Sequence, residues 1–127
     1  TTLTGGERLT ATASSNTAAE VVTMIGGAFS DSLTGGSGAD TYSFGTGTGT
    51  DQVKGFSTSE DVIEVLASVN GTSISAAADV LSRVTSTSDG ALINLGTDTD
   101  GVEHTILLTD MSVDDLTAAN FSAVEIL

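Results

Sequence analysis

The middle of the chain is built on a nine-residue unit, and a short repeat of this kind restricts a fold more than any composition can. Gly26-Gly27-Ala28-Phe29-Ser30-Asp31-Ser32-Leu33-Thr34 runs without a gap into Gly35-Gly36-Ser37-Gly38-Ala39-Asp40-Thr41-Tyr42-Ser43. The second unit fits G-G-x-G-x-D-x-U-x, with U apolar, at every defined position, and the first departs from it only where Phe29 replaces the third glycine. Two residues later, Thr46-Gly47-Thr48-Gly49-Thr50-Asp51-Gln52-Val53-Lys54 fits again except for Thr46 in the first glycine position. Asp31, Asp40 and Asp51 therefore occupy equivalent places.

The pattern favours a short parallel β-roll. Glycines supply the tight turn, the next residues form a short strand, and the apolar eighth position points inward. Leu33, Tyr42 and Val53 are expected to stack inside. Consecutive nonapeptides lie on opposite sides of such a roll, so Asp31 and Asp51 should face each other across adjacent turns, with Asp40 on the far side. Carboxylates and turn carbonyls are hard oxygen donors, suited to Ca²⁺ more than to octahedral, water-retaining Mg²⁺. The expected ligand set is Gly26, Ala28, Asp31, Gly47, Gly49 and Asp51 on one side, with Gly35, Ser37 and Asp40 at the equivalent positions of the second unit. The alternative is that these aspartates are turn residues whose side chains accept backbone N–H groups.

These residues resemble the repeats-in-toxin (RTX), haemolysin-type calcium-binding family. Gly49 to Phe56 and Ser59 to Val65 are similar to the segment that closes the roll in serralysin-type secreted proteases and bacterial surface-layer proteins. Ala91 to Leu95, Thr105 to Leu108 and Asp115 to Phe121 resemble the family's C-terminal cap, which is associated with type I secretion. The resemblance covers roughly residues 17–127 and implies bound Ca²⁺, a location that is secreted or on the bacterial cell surface, and export read from an uncleaved C-terminus.

Composition narrows the function classes. The 127 residues hold 17 Asp and Glu against 3 Lys and Arg, a formal charge of -14, which argues against nucleic acid and anionic membranes. No Cys is present, so disulfides and thiolate metal sites are excluded. Fifteen Gly and no Pro, with abundant Thr and Ser, describe a β-rich protein of many turns. No apolar run reaches the roughly 20 residues needed to span a bilayer, and no signal-peptide pattern opens the chain. The absence of a nucleophile elbow and of an H-E-x-x-H helix sets catalysis aside. His104 reads as a sheet-edge histidine, and Arg8, Lys54 and Arg83 as partners of nearby carboxylates.

The expected architecture is all-β dominated, one continuous domain. Capping strands occupy 1–25, the calcium-binding roll 26–56, and a β-rich cap with two short helices 57–127. Thr72 or Ser73 should cap a helix whose Ile74, Ala77, Leu81 and Val84 share one face. Asp89-Gly90 signals a tight hairpin, and a second turns at Thr97 to Gly101, where Asp98 and Asp100 read as a solvated turn or as a further Ca²⁺ site. Ser112 with Asp115 forms a capping box and Met111 with Leu116 a hydrophobic staple, starting a helix that Asn120 stops. The expected function is an extracellular calcium-binding structural module that folds on Ca²⁺ and associates with itself or with other surface proteins. The alternative is a non-catalytic folding and type I secretion domain of a larger secreted protein.

Overall fold

The computed structural model describes residues 2–4, 10–12, 23–25, 30–35, 38–45 and 49–125, with side chains from residue 30 onward. Among the described residues eleven strands form two sheets: β1 (Thr2–Thr4), β2 (Thr10–Thr12), β3 (Thr23–Ile25), β4 (Ser32–Thr34), β5 (Thr41–Phe44), β6 (Thr50–Lys54), β7 (Val62–Leu66), β8 (Val84–Thr87), β9 (Gly90–Thr97), β10 (Glu103–Thr109) and β11 (Phe121–Val124). One sheet has the order β1-β3-β5-β7-β11 and the other β2-β4-β6-β10-β9-β8. Up to β7, successive strands alternate between the two sheets and pair in parallel with the strand two places away. The second sheet turns antiparallel only after β10, through β9 and β8.

The repeat fixes this alternation. In each unit the Asp-x-apolar triplet opens a strand, and the apolar residue is fully buried: Leu33 in β4, Tyr42 in β5 and Val53 in β6 are each 0% exposed. Leu33 is in register with Val53, and Tyr42 with Ile63. Strand alternation turns every second side chain inward, so Phe44, Ile63, Val65, Ile93, Leu95, Ile106 and Leu108 join the same core between the sheets. The strands preceding the repeat continue both sheets, β3 beside β5 and β2 beside β4.

Several local expectations are corrected. The helix expected from Thr72 or Ser73 is α1, Ala77–Leu81 only. The Asp79 carboxylate accepts the N–H groups of Ser75 and Ala76 at 3.0 and 3.1 Å, which starts the helix one turn late and leaves Ile74 as a buried residue of the preceding loop. Val84 lies beyond α1 in β8. The expected helix over Ser112 to Asn120 is two 3₁₀ turns, Val113–Asp115 and Ala118–Asn120, interrupted by Leu116 in an extended conformation. Leu116 is buried, and reaching the core there breaks the helical path. Ser112 makes no side-chain cap. The cap therefore holds one short α-helix among the described residues rather than two. The first hairpin turns at Ser88-Asp89, one residue earlier than expected, because Gly90 is already paired with Thr87.

Candidate functional site

The repeat aspartates stand where a turn enters a strand, and their burial is unusual for carboxylates: Asp31 is 3% exposed, Asp40 1% and Asp51 0%. Asp51 Oδ1 accepts the Asp31 N–H at 2.8 Å, so these two residues meet across adjacent rungs of the second sheet. Asp40 begins a strand of the opposite sheet. The expected placement of the three residues is observed.

Asp40 has a partner that the repeat did not reveal. Asp61, 1% exposed, accepts the Asp40 N–H on Oδ1 at 2.8 Å and the Ser57 N–H on Oδ2 at 2.7 Å. Burial holds its carboxyl above the usual carboxylate range, against the lowering effect of the Asp40 and Ser57 N–H groups. The signal was present as Asp61-Val62-Ile63, a fourth Asp-x-apolar triplet without the glycines that mark the others. Two stacked aspartate pairs therefore lie on opposite sides of the molecule, with partners 20 and 21 residues apart.

Glycine at position 35 is a packing requirement. A methyl group there would collide with the Tyr42 hydroxyl and the Asp40 carboxylate. The Tyr42 hydroxyl is buried beside the Gly35 backbone. Burial first, then the charges of Asp61 and Asp40, drive its ionisation well above the ordinary tyrosine range, against the lowering effect of a hydrogen bond with the Gly35 backbone.

The third repeat is tied to the C-terminal hairpin. Gly49, at φ +78°, donates its N–H to His104 Nδ1 at 2.8 Å, and its carbonyl accepts the Thr105 N–H at 3.0 Å. Because Nδ1 accepts, Nε2 carries the proton and donates it to Asp98 Oδ2 at 2.8 Å. This hydrogen bond is the main reason that the Asp98 carboxyl lies below the usual carboxylate range. Asp98 Oδ1 also accepts the N–H groups of Asp100 and Val102, so its carboxylate shapes the Thr97 to Gly101 turn. His104 is 3% exposed on β10, which lies between β6 and β9; it is not the sheet-edge residue expected. Lys54 and Arg83 form no ion pair among the described residues, contrary to expectation, although the Arg83 charge helps to lower the Asp79 carboxyl.

Of the expected ligands, Asp31, Gly35, Asp40, Gly49 and Asp51 are described. Gly26, Ala28, Ser37 and Gly47 lie outside the described residues, as does Arg8. Among the described residues no group of three or more acidic or histidine side chains is placed to hold a metal, and no helix is long and apolar enough to cross a membrane. Chemically, each aspartate pair supplies buried anionic oxygen beside a glycine turn, and part of that oxygen is already used by backbone N–H groups. Comparison with protein-family models, with curated proteins and with solved structures finds no match.

Proposed function

We propose that the chain is an extracellular calcium-binding module built on a parallel β-roll similar to that of the RTX family, non-catalytic, and folded by Ca²⁺ at its repeat turns. The observation that carries the reading is the stacking of Asp31 with Asp51 on one side and of Asp40 with Asp61 on the other. Four carboxylates held nearly out of water are costly to keep charged. The resulting repulsion adds to that of a chain with net charge -14. A hard divalent cation bound by Asp31, Asp51, the Gly49 carbonyl and the matching carbonyls of Gly26, Ala28 and Gly47 would relieve it; Gly35, Ser37 and Asp40 are the corresponding donors opposite. Extracellular sites bind Ca²⁺ with Kd on the order of 10⁻⁴–10⁻³ M. About 1 mM Ca²⁺ then adds about 0.4–1.4 kcal/mol per site, whereas cytosolic levels add almost nothing. Folding would follow export to the cell surface or medium.

In this reading the folded module associates with itself or with other surface proteins as part of a layer, fibre or adhesin. The antiparallel β8–β10 extension, which ends one parallel sheet, favours a second reading, a passive folding and type I secretion domain of a larger protein. Titration of EDTA-stripped protein with Ca²⁺, followed by far-UV circular dichroism and light scattering with Mg²⁺ as control, tests both. A gain of β signal with particle growth is expected; gain without growth selects the second reading. No response to Ca²⁺, or an unchanged response in an Asp31→Asn/Asp51→Asn variant, rejects the ligand assignment and leaves the aspartates as acceptors for turn N–H groups.

A further inference from the structure

Asn70 is followed by Gly71, and no other Asn of the chain precedes a glycine. A neighbour without a Cβ leaves the path from its backbone nitrogen to the Asn side-chain carbonyl unobstructed, so this step is chemically the most open of its kind in the sequence. The same pair suits a tight turn, and the loop between β7 and α1 uses it as one. Asn70 at φ 50°, ψ 29° and Gly71 at φ +80° are both left-handed, and the Thr72 N–H closes the turn on the Val69 carbonyl at 2.9 Å.

The turn depends on its surroundings. Left-handed backbone is unfavourable for a residue with a side chain, yet Ser68 at φ 57° and Asn70 both adopt it. The Ser68 N–H is held by the Ile74 carbonyl at 2.8 Å, and Asn70 Nδ2 donates to the Leu95 carbonyl of β9 at 2.9 Å. Gly96 on β9 packs so closely that a methyl group there would strike the Thr72 side chain. Closing a ring between the Gly71 nitrogen and Asn70 Cγ requires that nitrogen and Asn70 Cβ on the same side of the Cα–C bond. At ψ 29° they lie nearly opposite. The Gly71 N–H is also committed to the Ser68 carbonyl at 3.1 Å. The folded geometry therefore blocks a reaction that the free dipeptide can undergo.

We propose that Asn70-Gly71 is a modification site exposed by unfolding, where the Asn70 amide becomes a carboxylate in chains that have left the folded state. Hydroxide removes the Gly71 amide proton, and the nitrogen attacks Asn70 Cγ. The new N–C bond closes a succinimide ring, the Cγ–Nδ2 bond breaks, and ammonia leaves after taking a proton from water. Water then opens the ring, giving aspartate by attack at Cγ or isoaspartate by attack at the main-chain carbonyl carbon. Neither product restores the turn. Aspartate lacks the donor for the Leu95 carbonyl and adds an anion to a cavity that Asn70 lines together with Asp98. Isoaspartate lengthens the main chain of the turn by a methylene. The change is a one-way mark of time spent unfolded, and it requires no metal, so it stands apart from the calcium reading.

Peptide mapping by mass spectrometry tests it on the full chain, incubated at mildly alkaline pH either in Ca²⁺ buffer, with folding verified by circular dichroism, or in concentrated urea. The mass gain of an amide-to-acid change, with isoaspartate among the products, should build up at Asn70 about tenfold or more faster in urea, because the rate follows the population of the open state. Asn70→Gln, whose longer side chain must close a larger ring, should stay unmodified in urea over the same period. Asn70→Asp should melt below wild type. Equal rates in folded and unfolded chains, no conversion in urea, or a Gln variant that converts as fast as wild type overturns the inference. An Asn70→Asp chain that melts with wild type overturns the one-way mark.

Discussion

His104 does for the third repeat what the aspartates do for the earlier rungs, because in each case a side chain accepts a backbone N–H from the neighbouring turn. The difference is charge: an imidazole nitrogen is a neutral acceptor, so this rung adds no further anion to a crowded acidic face. Replacing His104 with Ala leaves the Gly49 N–H and the Asp98 carboxylate without this partner, and stability should fall by about 1–3 kcal/mol in urea titration. Hydrogen exchange at Gly49 should accelerate at the same time. Gly35→Ala should cost about 1–3 kcal/mol by overpacking against Tyr42 and Asp40. Adding Tyr42→Phe should recover part of this loss, since the colliding hydroxyl is removed; no recovery in thermal melts would show that the Asp40 carboxylate alone makes the clash. At this scale the repeat made Asp31, Asp40 and Asp51 legible, with the facing of Asp31 and Asp51, since a period carries geometry. His104 was hidden because the N–H it accepts lies 55 residues away, whereas Asp61 was marked only by an Asp-x-apolar triplet without glycines, its Asp40 partner lying 21 residues away.

Elements are where local signals mislead most. A capping box and a hydrophobic staple describe Ser112 to Asn120 equally well as a helix, yet buried Leu116 and Phe121 must both reach the core, and two 3₁₀ turns achieve that where a continuous helix would not. Asn120 shows the outcome: its amide accepts the Thr117 N–H and donates to the Thr58 carbonyl, binding the C-terminal segment to the loop before Asp61. Phe121→Ala, which empties a buried site between that segment and β7, should cost about 3–5 kcal/mol by chemical denaturation. The start of α1 depends on the Asp79 carboxylate, whose proton affinity is lowered first by the Ser75 N–H, then by the Ser75 hydroxyl and the Ala76 N–H. A depressed carboxyl stabilises the fold above its unfolded value of 3.8, and that contribution disappears as pH falls through the lower, folded value. Asp79→Asn should therefore lower the melting temperature at neutral pH and bring the two proteins together in strong acid. A gap that persists at low pH would assign the effect to packing.

On the scale of the whole molecule, charge and topology act together. With a net charge of -14, metal-free protein should gain stability as NaCl rises from about 0.01 to 0.5 M, since the Debye length shrinks from about 30 Å to a few Å. The gain should be much smaller once Ca²⁺ occupies the turns; equal salt dependence with and without Ca²⁺ would mean that the cation does not neutralise this repulsion. The strand-rich class and the stacking of the repeats were legible because one period governs them, while the antiparallel β8–β10 extension, built from unique segments, was readable only as hairpins without a place in a sheet. The alternation of strands between two sheets also has a mechanical consequence. Each rung of the parallel region is held by neighbours about one coil away in sequence, and the coil is the unit that comes loose when the chain is pulled from its N-terminus. The parallel registers make each coil 18–22 residues long, so each one detached releases roughly 60–80 Å of extended chain. Under tension the parallel region would lengthen in a series of similar steps, coil by coil, before the antiparallel end yields.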